Sequence, residues 1–274
     1  MKTKEIRVEG FTTDTTPDDR PAMCVFGEEN VGKTRFGCTM PEAVGFIALD
    51  KNTKRSIDEY RKVTKAHILV PEKPFVSDKQ AIELAMWDAT LKTDQDKIRK
   101  AYTEIVSKIF EFAMKLAEHK DVASVAVDGS QLFDYILFSH FGRRNQIESF
   151  QRGPANQDMV DFVNALRFKN LCLMNRAAEI WKDTGEMDAQ GRKKQSPSGK
   201  FKPDGFSKIG GFMTAVIELT AKRAKDLDLD QKYRVKVVTC KGNTLMEGQD
   251  LSDYGVAGES ISWGNVMTAI GLEE

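Results

Sequence analysis

An uninterrupted apolar run, Ala22-Met23-Cys24-Val25-Phe26, stops at Gly27 and opens into Gly27-Glu28-Glu29-Asn30-Val31-Gly32-Lys33-Thr34. This GxxxxGK[ST] spacing constrains the chain more than any other feature. Its glycines let the backbone curl so that successive N–H groups point at phosphate oxygens, the lysine reaches the outer phosphates, and the hydroxyl meets a magnesium ion. Those roles fall to Gly27, Gly32, Lys33 and Thr34, with Glu29, Asn30, Val31 and Arg35 completing the cradle. An apolar run without alternation is the pattern of a strand buried on both faces. A helix candidate starts at Gly32. Strand, glycine-rich turn and helix in that order are the setting such a loop requires.

Similar runs at 44–49, 122–127 and 171–174 end in Asp50, Asp128 and Asn175. Helical patterns separate them: Ile98, Tyr102, Ile105, Ile109, Phe112 and Leu116 share one face at 3.6-residue spacing, and 158–168 forms a second candidate. Alternating strands and helices predict an α/β fold with a mainly parallel central sheet and helices on both faces. The runs at 214–220 and 234–240 have no helix between them and read as an antiparallel C-terminal extension. Residues 1–20 read as a lead-in segment and 21–274 as a single domain. Two polar stretches rich in Gly, Ser and Pro, 139–155 and 182–208, read as long mobile loops, which in a compact domain are usually functional or disordered.

With 274 residues, 41% apolar and 30% charged, the chain has the composition of a soluble globule with a sizeable core. The formal charge is zero, so attraction to a polyanion requires a local basic cluster. Cys24, Cys38, Cys172 and Cys240 show no CxxC pairing and no histidine at metal-ligand spacing, which predicts free thiols in a reducing compartment. The N-terminus lacks an apolar signal core, and no run approaches the roughly 20 apolar residues that span a bilayer. A cytoplasmic location without membrane attachment follows. His67, His119 and His140 are scattered, which argues against a catalytic histidine.

A magnesium-bound phosphate also needs a carboxylate at the end of a neighbouring buried strand. Asp128, closing Ser124-Val125-Ala126-Val127, fits that position, and is predicted to order the metal with Thr34. Asp50 is a weaker candidate, because its strand could lie beside the loop strand or further away.

Gly27-Glu28 resembles the start of the phosphate loop in RecA-like P-loop ATPases, specifically the recombinases of archaea and eukaryotes. The order of the later elements is similar too: a basic loop after the Asp128 strand, a helix, then a strand ending in Asn175 and a second, longer basic loop. The chain also resembles compact RecA-like "AAA domain" proteins of bacteriophages that act in single-strand annealing and recombination, over about residues 20 to 255. The resemblance implies ATP and Mg²⁺ as cofactors, Glu28 as the base that activates the attacking water, and Asn175 as a sensor of the γ-phosphate. It implies assembly as a homo-oligomeric ring or filament and a single-strand-binding protein as a further partner. Lys241, near the end of the late strand, is then the candidate finger toward a neighbour's ATP, although Lys241-Gly242-Asn243 departs from the Lys-x-Arg pattern of replicative-helicase relatives.

In the family the two loops grip single-stranded DNA. Here the first carries Arg143, Arg144 and Arg152 with Phe141 and Phe150. The second carries Arg192, Lys193, Lys194, Lys200, Lys202 and Lys208 with Phe201 and Phe206, against one acid, Asp204, within 189–208. Cations neutralise phosphates and aromatic rings stack on unpaired bases. Recombination, annealing or repair is the function implied. The alternatives are a nucleotide-dependent switch whose loops bind protein, and a small-molecule kinase using the same phosphate loop.

Overall fold

The structure, a computed structural model, describes residues 20–49, 51–77, 80, 95–143, 147–187, 190, 193–206, 208–222 and 232–272. Asp50, Arg144 and Arg192 lie outside the described residues.

The chain runs β1 (Ala22–Gly27), α1 (Lys33–Cys38), β2 (Val44–Ile47), α2 (Lys51–Thr64), β3 (Ile68–Leu69), α3 (Gln95–Glu118) and β4 (Ser124–Asp128). It continues through α4 (Gly129–Phe141), α5 (Gly153–Ala165), β5 (Asn170–Met187), β6 (Lys193–Pro203), β7 (Ala215–Ala221), β8 (Tyr233–Cys240) and α6 (Trp263–Ala269). The sheet has the order β3-β2-β4-β5-β1-β7-β8, with β6 paired to β5 off this path. Every pairing from β3 to β7 is parallel, and β8 runs antiparallel to β7. The expected α/β architecture is present with its antiparallel C-terminal extension, in which β8 returns antiparallel to β7 and β7 joins the sheet in parallel with β1.

Side-chain alternation along each strand explains the apolar runs. Cys24 and Phe26 of β1, with Val125 and Val127 of β4 and Leu171 and Leu173 of β5, face a core shared with α3, α4 and α5. Met23, Val25, Ala126, Cys172 and Met174 face the opposite core, built with α1, α2 and α6. A strand covered on both sides has no polar face to show. In α3 the buried stripe is Ile98, Tyr102, Ile105, Ile109, Ala113 and Leu116, with Phe112 only partly buried beside it.

Over their described residues, both expected loops consist largely of helices and strands. The stretch 139–155 contains the end of α4, a 3-10 turn at Ser149–Arg152 and the first turn of α5, which has Pro at its N-terminal positions, where its missing N–H costs nothing. Helix α5 accordingly begins five residues before the predicted position 158. The stretch 182–208 is mostly a two-stranded ribbon. Strand β5 does not stop at Asn175 but continues out of the sheet to Met187 and returns as β6, pairing Ala177 with Pro203 and Trp181 with Pro197. Strand β2, from the run at 44–49, is separated from β1 by both β4 and β5.

The C-terminal segment closes the α1 face. Trp263 is fully buried, its ring centroid 6.1 Å from that of Phe36, and its backbone N–H donates to Thr39 Oγ1 over 2.8 Å. It braces the helix that carries Lys33 and Thr34. Among the described residues no helix is long and apolar enough to cross a membrane.

Candidate functional site

Strand β5 inserts between β1 and β4, so three strand ends meet at one edge of the sheet. In register, Phe26 lies beside Asn175, Gly27 beside Arg176, and Met174 beside Asp128. A cleft of about 310 Å³ opens above them, lined by Glu29, Asn30, Lys33, Thr34, Asp128 and Asn175, and also by Asn52, Thr53, Gln131, Met174 and Arg176.

The loop's two glycines serve different needs. A Cβ on Gly27 would sit 2.3 Å from the carbonyl oxygen of Leu219 on β7, so no side chain fits there while the strands stay paired. Gly32 has φ 92 and caps α1 from the left-handed region, which only glycine adopts freely. Asn30 also has positive φ, 61, a conformation asparagine tolerates better than most residues. The curl needed to aim N–H groups inward is therefore built by sequence.

Lys33 folds over this curl and donates to the carbonyls of Gly27 at 2.8 Å and Glu28 at 2.5 Å. Burial lowers its pKa from the ordinary lysine value; Asp128 and Glu29 oppose that shift, and Arg176 adds to it. The ammonium thus stands in a site where a polyphosphate would be a better partner than loop carbonyls.

Asp128 at the end of β4 and Thr34 at the start of α1 both face the cleft. This pair of hard oxygen donors suits Mg²⁺, which keeps most of its waters and takes one or two protein oxygens plus phosphates. Among the described residues there is no cluster of three or more His, Cys, Asp or Glu that could hold a metal.

Asn175 is buried at 2% exposure, and its Nδ2 donates to the carbonyl of Asp204 over 2.8 Å, while its Oδ1 has no hydrogen-bond partner among the described residues. That oxygen occupies the place where a Cβ on Gly129 would be, 2.3 Å away, so the glycine after Asp128 is what admits the amide. Ser130 Oγ donates to the same Asp204 carbonyl and accepts from the N–H of Arg176. The base of the ribbon is thereby tied to the cleft floor.

Other predicted positions lie apart. Glu28 and Arg35 are exposed and do not line the cleft. Its carboxylates among the described residues are Glu29 and Asp128, and the facing wall is Asn52, Thr53, Gln131 and Asn175, groups that orient a water but do not take its proton. Lys241 follows β8 at the edge where Cys240 pairs with Ala215, the opposite end of the parallel strands from Gly27, and donates to the carbonyl of Gly211 over 2.5 Å. It cannot serve its own chain's cleft.

The basic segments are only partly as expected. Arg143 is exposed at the end of α4, and Arg152 lines a second cavity of about 440 Å³ that also includes Asp134, Arg176 and Asp204. On the ribbon Lys193 pairs with Asp183 at 3.3 Å and Lys194 with Glu186 at 3.1 Å, whereas Lys200, Lys202 and Lys208 are exposed without an ion pair among the described residues. Phe206 is buried in the core, and Phe201 and Phe141 pack partly against it, so these rings are not stacking platforms. Phe150 is 81% exposed. On the ribbon an exposed aromatic that the sequence did not single out is Trp181, 55% exposed on β5 opposite Pro197.

No family model matches the chain, and no curated protein does. Among solved structures it is similar to a KaiC-like protein from the hyperthermophilic archaeon Pyrococcus horikoshii OT3, at 12% identity over 85% of this chain and 84% of that one, with a TM-score of 0.39. It is also similar to the RadB recombinase, at 10% identity over 84% of each chain, with a TM-score of 0.37.

Proposed function

We propose that the chain is a RecA-like ATPase that binds Mg-ATP in the cleft at the ends of β1, β5 and β4. The observation that carries this is the convergence of Lys33, Thr34 and Asp128 on one space above a loop whose Gly27 is held by close contact and whose Gly32 is held by its positive φ. When bound, Mg²⁺ would neutralise phosphate charge as it develops. Lys33 would hold the outer phosphates, Thr34 and Asp128 the ion and its waters, and Asn175 the end of the γ-phosphate. Single-stranded DNA is the proposed partner, met by Trp181, Lys200 and Lys202 on the ribbon and by Arg143 and Arg152 near α5, in recombination, annealing or repair within a homo-oligomer.

A slow nucleotide switch is the second reading, favoured by the cleft wall of amides and hydroxyls and by the outward position of Glu28. One titration series separates the two. Binding of a fluorescent ATP analogue should be saturable with Mg²⁺ and lost in Lys33→Ala; equal affinity in that variant refutes the nucleotide site. Steady-state hydrolysis measured with and without single-stranded DNA across a salt series should rise with DNA and lose that response as salt increases. Binding without any response to DNA selects the switch.

A further inference from the structure

Arg176 is the one cleft-lining cation besides Lys33 among the described residues, and it had no assigned role in the sequence. Its backbone is fixed: the N–H donates to Ser130 Oγ at 2.9 Å, and its carbonyl accepts from Asp204 N at 2.8 Å. Its Cα lies in register with Gly27, the first residue of the phosphate loop. The guanidinium, about half exposed, rests on two carboxylates, Asp134 at 2.7 Å and Asp204 at 3.1 Å. It lines both the nucleotide cleft and the second cavity, so the side chain stands at the passage between them.

This position has a consequence for a nucleotide held by the loop. Strand β5 lies between the strand that feeds the loop and the strand that ends in Asp128, so a phosphate spanning Lys33 and the metal side stands above the end of β5. Lys241, the other candidate cation, is at the far edge of the sheet. A terminal phosphate, with a charge of about −1.5 to −2 and three acceptor oxygens, matches in charge the two carboxylates it would displace, and guanidinium binds phosphate through two parallel N–H bonds. The fixed backbone and long side chain allow the exchange by side-chain rotation alone.

We propose that Arg176 leaves the Asp134–Asp204 pair and closes on the γ-phosphate of the nucleotide bound in its own chain, so that this residue distinguishes a triphosphate from a diphosphate. The proposal rests on the nucleotide reading of the cleft. Its test is equilibrium binding of ADP and of a non-hydrolysable ATP analogue, each with Mg²⁺, to the full chain and to Arg176→Ala and Asp134→Asn.

Arg176→Ala should weaken the triphosphate analogue roughly tenfold to a hundredfold while ADP affinity stays within about twofold. Asp134→Asn, which loosens the resting partner without changing side-chain size, should shift preference the other way, toward the triphosphate. A merely structural Arg176 would move both nucleotides together in both variants, and that result overturns the proposal. So does an unchanged preference in Arg176→Ala. Mixing Arg176→Ala with Lys33→Ala chains should not restore the lost triphosphate binding; restoration would mean that the arginine acts on a neighbour and would overturn the assignment to its own chain. If the unaltered chain binds neither nucleotide, the cleft reading itself fails and the proposal falls with it, a result distinct from binding without discrimination.

Discussion

At the scale of single residues, the two loop glycines, Gly27 by close contact and Gly32 by its positive φ, are the firmest features of the site. Gly27 faces the carbonyl of Leu219, a backbone atom that cannot rotate away, and Val31 Cγ2 at 2.9 Å from the same Cβ position. Gly27→Ala should therefore separate β1 from β7 at the loop, cost about 1–3 kcal/mol of stability as overpacking does, and weaken nucleotide binding. Trimming the movable neighbour distinguishes the cause. In the double variant Gly27→Ala/Val31→Ala, chemical denaturation and nucleotide titration should still show the defect, because the carbonyl remains; full recovery would place the conflict at Val31 instead. The loop letters were legible in the sequence because local chemistry dictates them. Asn52, Gln131 and Arg176 were not, since only the sheet order brings them to the cleft, and no spacing along the chain encodes that order.

Among the elements, legibility followed burial. Strands β1, β2 and β4 announced themselves as continuous apolar runs, because both their faces are covered. The ribbon did not, because its outer part has no buried side to imprint a period, and its Gly, Ser and Pro residues imitate a loop. Asp183 and Glu186, which pair with Lys193 and Lys194, lie on the facing strand, outside the basic stretch 189–208. Between Ile180 and Lys200 no described side chain is buried, so this part of the ribbon holds little of the fold's stability. Replacing residues 180–200 with an Asn-Gly turn keeps Ala177 and Phe201 on the core and suits a tight hairpin. Unfolding free energy should change by less than about 1 kcal/mol, while affinity for single-stranded DNA falls at least tenfold with the loss of Trp181 and Lys200, leaving the weaker contact of Lys202, Arg143 and Arg152. Retention of that affinity in the shortened chain would move the DNA contact to Arg143 and Arg152.

For the whole molecule, packing the sheet on both faces seals its thiols. All four cysteines are buried, and burial pushes the Cys38 thiol up to about 12, with Arg61 opposing the shift, and raises those of Cys24 and Cys172 well above the ordinary range. Cys24 and Cys38 raise Cys172 further, since a second thiolate in the same interior would be repelled. The sign follows from proton counting. Above the unfolded thiol pKa of about 8.5 the unfolded chain loses protons that the native chain retains, so stability is full below that pH and falls as pH rises toward the native values. Each thiol contributes a slope of about 1.4 kcal/mol per pH unit, and the three together about 4 kcal/mol per unit between roughly pH 9.5 and 11. Urea midpoints measured across that interval should drop steeply, and Cys24→Ala should reduce the slope by about a third, the comparison cancelling the tyrosines and lysines that titrate alongside. A thiol-reactive dye should label none of the four in the native state at neutral pH and all four after unfolding. If the midpoint is flat with pH, or the dye reacts with the folded chain, the sheet is not closed on both faces, and the frame that holds β1, β5 and β4 in register beneath the cleft would have to be redrawn.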